Sequence, residues 1–294
     1  MQARALHTAL VILTALALLG CGRRESAPPL TASRVEKTEF NSKALSKTMK
    51  VNVYLPKGYT ASQRYPVLYL YHGFGGNQDA WGNKGVFQRA DALIDQGDIQ
   101  PIIIVTPQTD NGFGINSASQ VKLVNPADPN ESPYLGKYED YLAEDVIQWV
   151  DRTYSTIRSR EGRWVGGNSM GGYESLFIAF RHKDLFSRVG SHSGAIWTDA
   201  TFKDAFVKEW LYPARLRPER DLIEIARSKD LKDLQVYMDC GKQDSYRFYE
   251  GMAVLQDVLT GRDVKSESHL NEGDHSDRYL NAHLDEYLRF YAHK

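Results

Sequence analysis

The chain has 294 residues, enough for one large α/β domain, or two small ones, around a sizeable core. Its 36 basic and 37 acidic residues leave a formal net charge of −1, which excludes the strong field expected for a nucleic-acid or acidic partner. Aromatics make up 11%, with 17 Tyr and 5 Trp, a composition suited to an exported protein that handles organic or sugar-linked groups.

The first 21 residues read as an export signal. Arg4 supplies a positive start, and residues 9–19 form an apolar run too short to span a bilayer. The run ends in Leu18-Leu19-Gly20-Cys21, which resembles the lipobox of bacterial lipoproteins. That resemblance implies cleavage after the small Gly20 and lipidation of the Cys21 thiol, with several acyl chains anchoring firmly where one would be marginal. Gly22, rather than Asp, follows the cysteine; by resemblance to sorted lipoproteins this implies an outer-membrane destination in a cell with two membranes. Residues 22–34, with Pro28 and Pro29, read as a flexible tether, and 35–294 as the folded domain. Of the two cysteines, Cys21 is taken by the lipid, so no disulfide framework is expected. Cys240 closes an apolar run and reads as a buried strand residue.

Residues 51–55 alternate and predict a strand. Pro66 opens the continuous apolar run 67–71, suited to a central parallel strand. The run leads into His72-Gly73-Phe74-Gly75-Gly76, a loop whose backbone N–H groups can face a ligand. It lacks the G-x-x-x-x-G-K-[ST] pattern of a nucleotide site. His72 ends the strand beneath the loop and reads as a partner of the loop backbone, not as a catalytic base. Residues 88–94 predict a helix and 101–105 another buried strand. Residues 107–137 form a long loop leaving the C-terminal end of that strand, where α/β proteins bind ligands. Trp81, Phe113 and Tyr134 are the substrate-binding candidates. Residues 138–154 have helical apolar spacing at Tyr141, Leu142, Val146, Trp149 and Val150; the acids Glu139, Asp140, Glu144 and Asp145 read as its solvated face.

The stretch 164–173 contains G-x-S-x-G as Gly167-Asn168-Ser169-Met170-Gly171, with an apolar run before it and a helical run after it. This is the strand-turn-helix setting of a nucleophile elbow. Residues 189–195 predict a short strand entering a small-residue loop, in which His192 and Ser193 read as structural. Residues 198–231 predict a helical insertion, broken at Pro213 and Pro218, partly covering the site.

A serine hydroxyl needs a base, and the base needs an orienting group. Residues 235–239 predict a strand, and Asp244 lies in the loop beyond it; Asp239, nearer the strand, is the weaker candidate acid. Residues 264–270 predict the last strand, and His275 lies in the loop beyond, before a closing helix over 276–291. His269 falls within the strand and His283 on the helix, where neither reaches Ser169. The candidate catalytic set is therefore Ser169, Asp244 and His275.

The loop at 72–76 resembles the HGGG-type oxyanion loop of α/β-hydrolases, which implies that the Phe74 and Met170 N–H groups bind an oxyanion. Residues 35–292 as a whole resemble the esterase D-like family of α/β-hydrolases. That family includes feruloyl and acetyl esterases, enterochelin esterases, S-formylglutathione hydrolases and mycolyltransferases. The resemblance rests on the 72–76 loop with Trp81 after it, on Tyr138-Glu139-Asp140-Tyr141-Leu142, on 167–172, on Gly241-x-x-Asp244, and on Gly273-Asp274-His275 where the family usually has Gly-Gly-His. It implies an α/β-hydrolase fold, a mostly parallel central sheet with helices on both faces. The expected activity is a lipid-anchored, exported serine carboxylesterase for acetyl, short-chain or feruloyl esters, free or linked to polysaccharide. An acyltransferase of the mycolyltransferase type, a serine peptidase and a non-catalytic surface lipoprotein are the alternatives. No cofactor is implied, and no metal-ligand spacing such as H-E-x-x-H is present.

Overall fold

Val67 to Tyr71 are buried on both faces, and strands of that kind occupy the middle of a sheet. In the computed structural model, which describes residues 28–125, 128–129 and 132–293, they form the third of eight strands. The strands are β1 (Arg34–Ser42), β2 (Lys47–Leu55), β3 (Val67–Tyr71), β4 (Ile103–Pro107), β5 (Arg163–Asn168), β6 (Arg188–His192), β7 (Gln235–Gly241) and β8 (Lys265–Asn271). Their order across the sheet is β1-β2-β4-β3-β5-β6-β7-β8. β2 runs antiparallel to both its neighbours, and every pairing from β4 to β8 is parallel. This is the α/β-hydrolase arrangement.

The helices are α1 (Ala80–Asn83), α2 (Val86–Gln96), α3 (Tyr138–Asp140), α4 (Ile147–Thr153), α5 (Met170–Arg181), α6 (Ala205–Leu211), α7 (Arg217–Arg220), α8 (Leu222–Ser228), α9 (Phe248–Thr260) and α10 (Asp277–Ala292). A π-helical turn, Tyr141–Val146, joins α3 to α4, so the single helix expected over 138–154 is continuous but locally widened. Strand alternation splits the core in two. Val67, Tyr69, Tyr71, Val165, Val189 and Met238 face α4, α5, α8 and α9. Leu68, Leu70, Ile104, Trp164 and Tyr237 face α1, α2 and α10. On this second face Gly166 and Gly190 lie side by side in β5 and β6. A Cβ on either would sit 1.9 Å from the Tyr291 hydroxyl, so the two glycines make the slot into which α10 wedges its tyrosine.

β1 was not expected. Its sequence is mostly charged and polar, with Val35 and Phe40 its only apolar residues, and most of it is exposed at the sheet edge. It pairs with β2 over its whole length, from Arg34 opposite Leu55 to Ser42 opposite Lys47. Ahead of it, within the expected tether, Leu30 already exchanges backbone hydrogen bonds with Gly58 and Tyr59 at 2.8 and 3.0 Å. The expected signal peptide and Cys21 lie outside the described residues. Among the described residues, no helix is long and apolar enough to cross a membrane.

Candidate active site

Ser169 stands between β5 and α5 with φ 55° and ψ −118°, backbone angles that a residue with a side chain adopts at a cost of about 1–3 kcal/mol. The sequence permits this turn because of its neighbours. A Cβ on Gly167 would lie 2.3 Å from the Gly171 carbonyl oxygen, and one on Gly171 would lie 2.3 Å from that of Tyr71. The turn is clamped from the next strand: the Ser169 N–H donates to the His192 carbonyl at 3.1 Å, and its own carbonyl accepts from the Ala195 N–H at 2.9 Å.

The structure brings the three candidate residues together. His275 Nε2 lies 3.0 Å from Ser169 Oγ, and His275 Nδ1 lies 2.8 Å from Asp244 Oδ2. The Asp244 side chain is fully buried, whereas that of His275 keeps 18% exposure at the mouth of the site. Asp244 Oδ1 accepts from the Tyr246 N–H at 2.8 Å, and Oδ2 also accepts from the Cys240 thiol at 3.3 Å. Burial, then the Asp244 charge, pushes the Cys240 thiol up, so it remains a donor and not a nucleophile.

The glycine-rich loop after β3 comes directly against the serine, since a Cβ on Gly73 would lie 3.4 Å from that of Ser169. His72 braces the loop from below. Its Nε2 accepts from the Thr109 N–H at 3.0 Å, which puts the proton on Nδ1, where it donates to the Gly73 carbonyl at 2.8 Å. Burial holds this imidazole down at about 4, so it is neutral and unable to act as the base. Asn111 braces the loop from above, its Oδ1 accepting from the Gly75 N–H at 2.8 Å. Met170 is the first residue of α5, at the positive end of the helix dipole. Among the described residues, neither the Phe74 nor the Met170 N–H donates to a protein acceptor.

An aromatic wall runs along the site. Phe74, 39% exposed, packs on Phe113; Phe113 packs on Trp197 and Trp210; Trp197 packs on Phe248; and Tyr246, 58% exposed, stands edge-on to His275 with ring centroids 4.9 Å apart. Phe113 therefore backs the wall, as a buried residue beneath Phe74. Tyr134 is half-exposed on the rim, its N–H donating to the carbonyl of Asn111.

Known proteins resemble this chain over most of its length. Residues 42–291 match the family model described as "Putative esterase". The chain belongs to this esterase family. Among curated relatives of the chain are an endo-1,4-beta-xylanase/feruloyl esterase of Xylanibacter ruminicola, 29% identical over 60% of this chain and 24% of its own length, and an esterase of Mycobacterium tuberculosis, 34% identical over 58% and 34%. The chain thus spans about a quarter to a third of the length of these relatives. Among solved structures, a ferulic acid esterase superposes with TM-score 0.73 at 23% identity, covering 89% of this chain and 98% of its own. A ferulic acid esterase of Anaeromyces mucronatus, determined with ferulic acid, superposes with TM-score 0.66 at 21% identity, covering 87% and 90%. At these identities the two structures establish the α/β-hydrolase fold.

The structure departs from the sequence expectation at Trp81. This residue is 1% exposed, and its indole N–H donates to the Tyr71 carbonyl at 2.9 Å. It is packed in the core facing α2 and α10 and cannot touch a substrate. Asp274, in place of the usual glycine, is accommodated because its carboxylate turns outward and accepts from the Ser276 hydroxyl. The left-handed conformation of the loop falls to Gly273, at φ 136°. Asp239, the weaker candidate acid, faces His192 and not His275, at 2.9 Å.

Sequence reading missed Asn111, Trp197, Tyr246 and Phe248. Asn111 sits in Thr109-Asp110-Asn111-Gly112, a plain turn signature, and its partner Gly75 is 36 residues away. Nothing local marks that pairing.

Proposed function

We propose that this chain is a serine carboxylesterase. His275 takes the Ser169 proton as Ser169 Oγ attacks the ester carbonyl, and Asp244 holds the imidazole in the Nδ1–H form and balances its charge. The Phe74 and Met170 N–H groups receive the tetrahedral oxyanion, each worth about 3 kcal/mol in the transition state. The leaving alcohol takes the proton from His275, and water, activated by the same base, releases the acid from Ser169. The observation that carries the reading is the continuous contact from Asp244 through His275 to Ser169, at 2.8 and 3.0 Å, with the serine held in a left-handed turn.

The acyl group favoured is flat and aromatic, of the hydroxycinnamoyl type. Two exposed rings, Phe74 and Tyr246, flank the reactive serine and histidine, and several relatives are feruloyl esterases by name. The reading includes export and anchoring through lipid on Cys21, supported by Arg4, the apolar run and Leu18-Leu19-Gly20-Cys21. Partition of the full chain into detergent, lost in Cys21→Ala, tests the anchor.

A panel of feruloyl and p-nitrophenyl esters tests the chemistry. Ser169→Ala and His275→Ala are each expected to lose about 10³-fold or more in kcat while folding normally. Full turnover by Ser169→Ala would refute the assignment.

A further inference from the structure

Behind the proposed triad lies a second, wholly buried histidine–carboxylate pair that takes no part in it. His192 and Asp239 are register partners at the ends of β6 and β7. His192 Nδ1 lies 2.9 Å from Asp239 Oδ1, and its Nε2 lies 3.1 Å from the Tyr291 hydroxyl. The other carboxylate oxygen, Oδ2, accepts from the Tyr279 and Tyr287 hydroxyls, each at 2.7 Å. The Tyr287 ring also stacks on the His192 imidazole, centroids 3.6 Å apart. All five side chains are buried. Burial, followed by the Asp239 charge, pushes all three phenols well up, so they stay protonated as donors.

Such a cluster is costly to bury, and its cost is offset only because every group is paired. Its position gives it a further consequence. The His192 carbonyl holds the Ser169 N–H, and the Asp239 carbonyl holds the Ser193 N–H at 2.8 Å, in the segment that clamps the serine turn. At the other end, Tyr279 stands against the loop that carries His275: a Cβ on Gly273 would meet the Tyr279 ring at 2.6 Å, and Asn271 Nδ2 donates to the Tyr279 hydroxyl at 3.3 Å. The three tyrosines belong to α10, which begins two residues after His275. Asp239 thus ties together the strand that clamps the nucleophile and the helix that follows the base.

We propose that Asp239 is a positioning residue, which sets the distance between Ser169 and His275 through His192 on one side and Tyr279 on the other. The inference rests on the serine-esterase reading above. Tyr279 and Tyr287 separate a positioning role from a merely structural one. Both donate to the same oxygen at the same distance, but only Tyr279 abuts the base loop.

The test compares Tyr279→Phe and Tyr287→Phe in the full chain, with kcat per fluorophosphonate-titrated site measured well below the melting temperature. Tyr279→Phe is expected to lower kcat by about tenfold or more with KM within about twofold, since a sub-ångström misplacement of reacting groups acts on the chemical step. Tyr287→Phe is expected to lose similar thermal stability yet keep kcat within about twofold of wild type. Unchanged kcat in Tyr279→Phe, or equal losses in both variants, overturns the proposal. If Tyr279→Phe does not fold, Asp239→Asn replaces it in the comparison with Tyr287→Phe, and the same two outcomes apply. Ser169→Ala run alongside keeps the two claims apart: turnover surviving in that variant refutes the esterase reading itself, whereas a dead Ser169→Ala with a fully active Tyr279→Phe refutes only the positioning role.

Discussion

Ser169 is held in an unfavourable backbone conformation by what surrounds it. Gly167 and Gly171 leave no room for a Cβ, and the His192 and Ala195 backbones grip the serine on both sides. Asp244 is the neighbour whose removal discriminates best between catalysis and folding. Asp244→Asn keeps the shape but loses the charge-assisted bond to His275, and is expected to lower kcat by about 10³–10⁴-fold with little change in KM, read from initial rates. The aromatic wall has its own signature. Phe74→Ala and Tyr246→Ala are each expected to lower kcat/KM for a feruloyl ester about tenfold more than for an acetyl ester, because only the former loses ring contact. At this scale the sequence was legible wherever a side chain ends a strand. Ser169, Asp244 and His275 follow β5, β7 and β8, whose ends can be read from apolar runs in the first two and from alternation in the third. Trp81 was misplaced because its position after the 72–76 loop says nothing about which way its ring turns. It turned inward, to the Tyr71 carbonyl.

Between β4 and α3 the chain forms a loop that serves the site by holding the 72–76 loop in place, through Thr109 to His72 and through Asn111 to Gly75. His72 titrates with a consequence for stability. Its folded value, about 4, is depressed below the ordinary 6.5 by burial, so the unfolded chain binds the proton more readily. The stability held by neutral His72 is complete above pH 6.5 and is lost as pH falls toward 4, up to about 3 kcal/mol. Denaturant titrations across that window are expected to show the advantage of wild type over His72→Asn shrinking as pH falls. Glu174, on α5, behaves oppositely. It is fully buried, and neither of its oxygens makes a normal hydrogen bond among the described residues. Burial pushes its carboxyl well above the ordinary range, opposed only in part by the nearby Thr109 and Gly114. The unfolded chain loses this proton first, so the native state weakens as pH rises above 4.5. Glu174→Gln is therefore expected to gain melting temperature over wild type at pH 8, with a smaller gain or none at pH 4. Glu174 was not legible in the sequence, since it lies in a helix whose apolar spacing says nothing of a buried acid; His72 was legible as a partner of the loop backbone, through Gly73, but not its long-range contact with Thr109.

Across the whole molecule, one sheet with a core on each face brings distant residues to one rim. The central parallel strands β3, β4, β5 and β7 were legible as apolar runs because they are buried, and the exposed β8 only by its alternation. The edge strand β1 was not, since one side of it meets solvent and its pattern is diluted by charge. The wedge of Tyr291 between β5 and β6 was equally hidden, because the glycines that admit it look like any other glycines. Gly166→Ala and Gly190→Ala are each expected to lose several kcal/mol of stability or fail to fold, visible in thermal melts, since a new Cβ would overlap the Tyr291 hydroxyl.

The central claim is that Ser169 carries the acyl group during turnover. Intact-mass and peptide mass spectrometry of the protein after treatment with a fluorophosphonate tests it most directly. One adduct per chain is expected, on the peptide containing Ser169, formed in step with loss of esterase activity and absent from folded Ser169→Ala. An adduct on another residue, or full esterase activity in a protein quantitatively labelled at Ser169, would contradict the account.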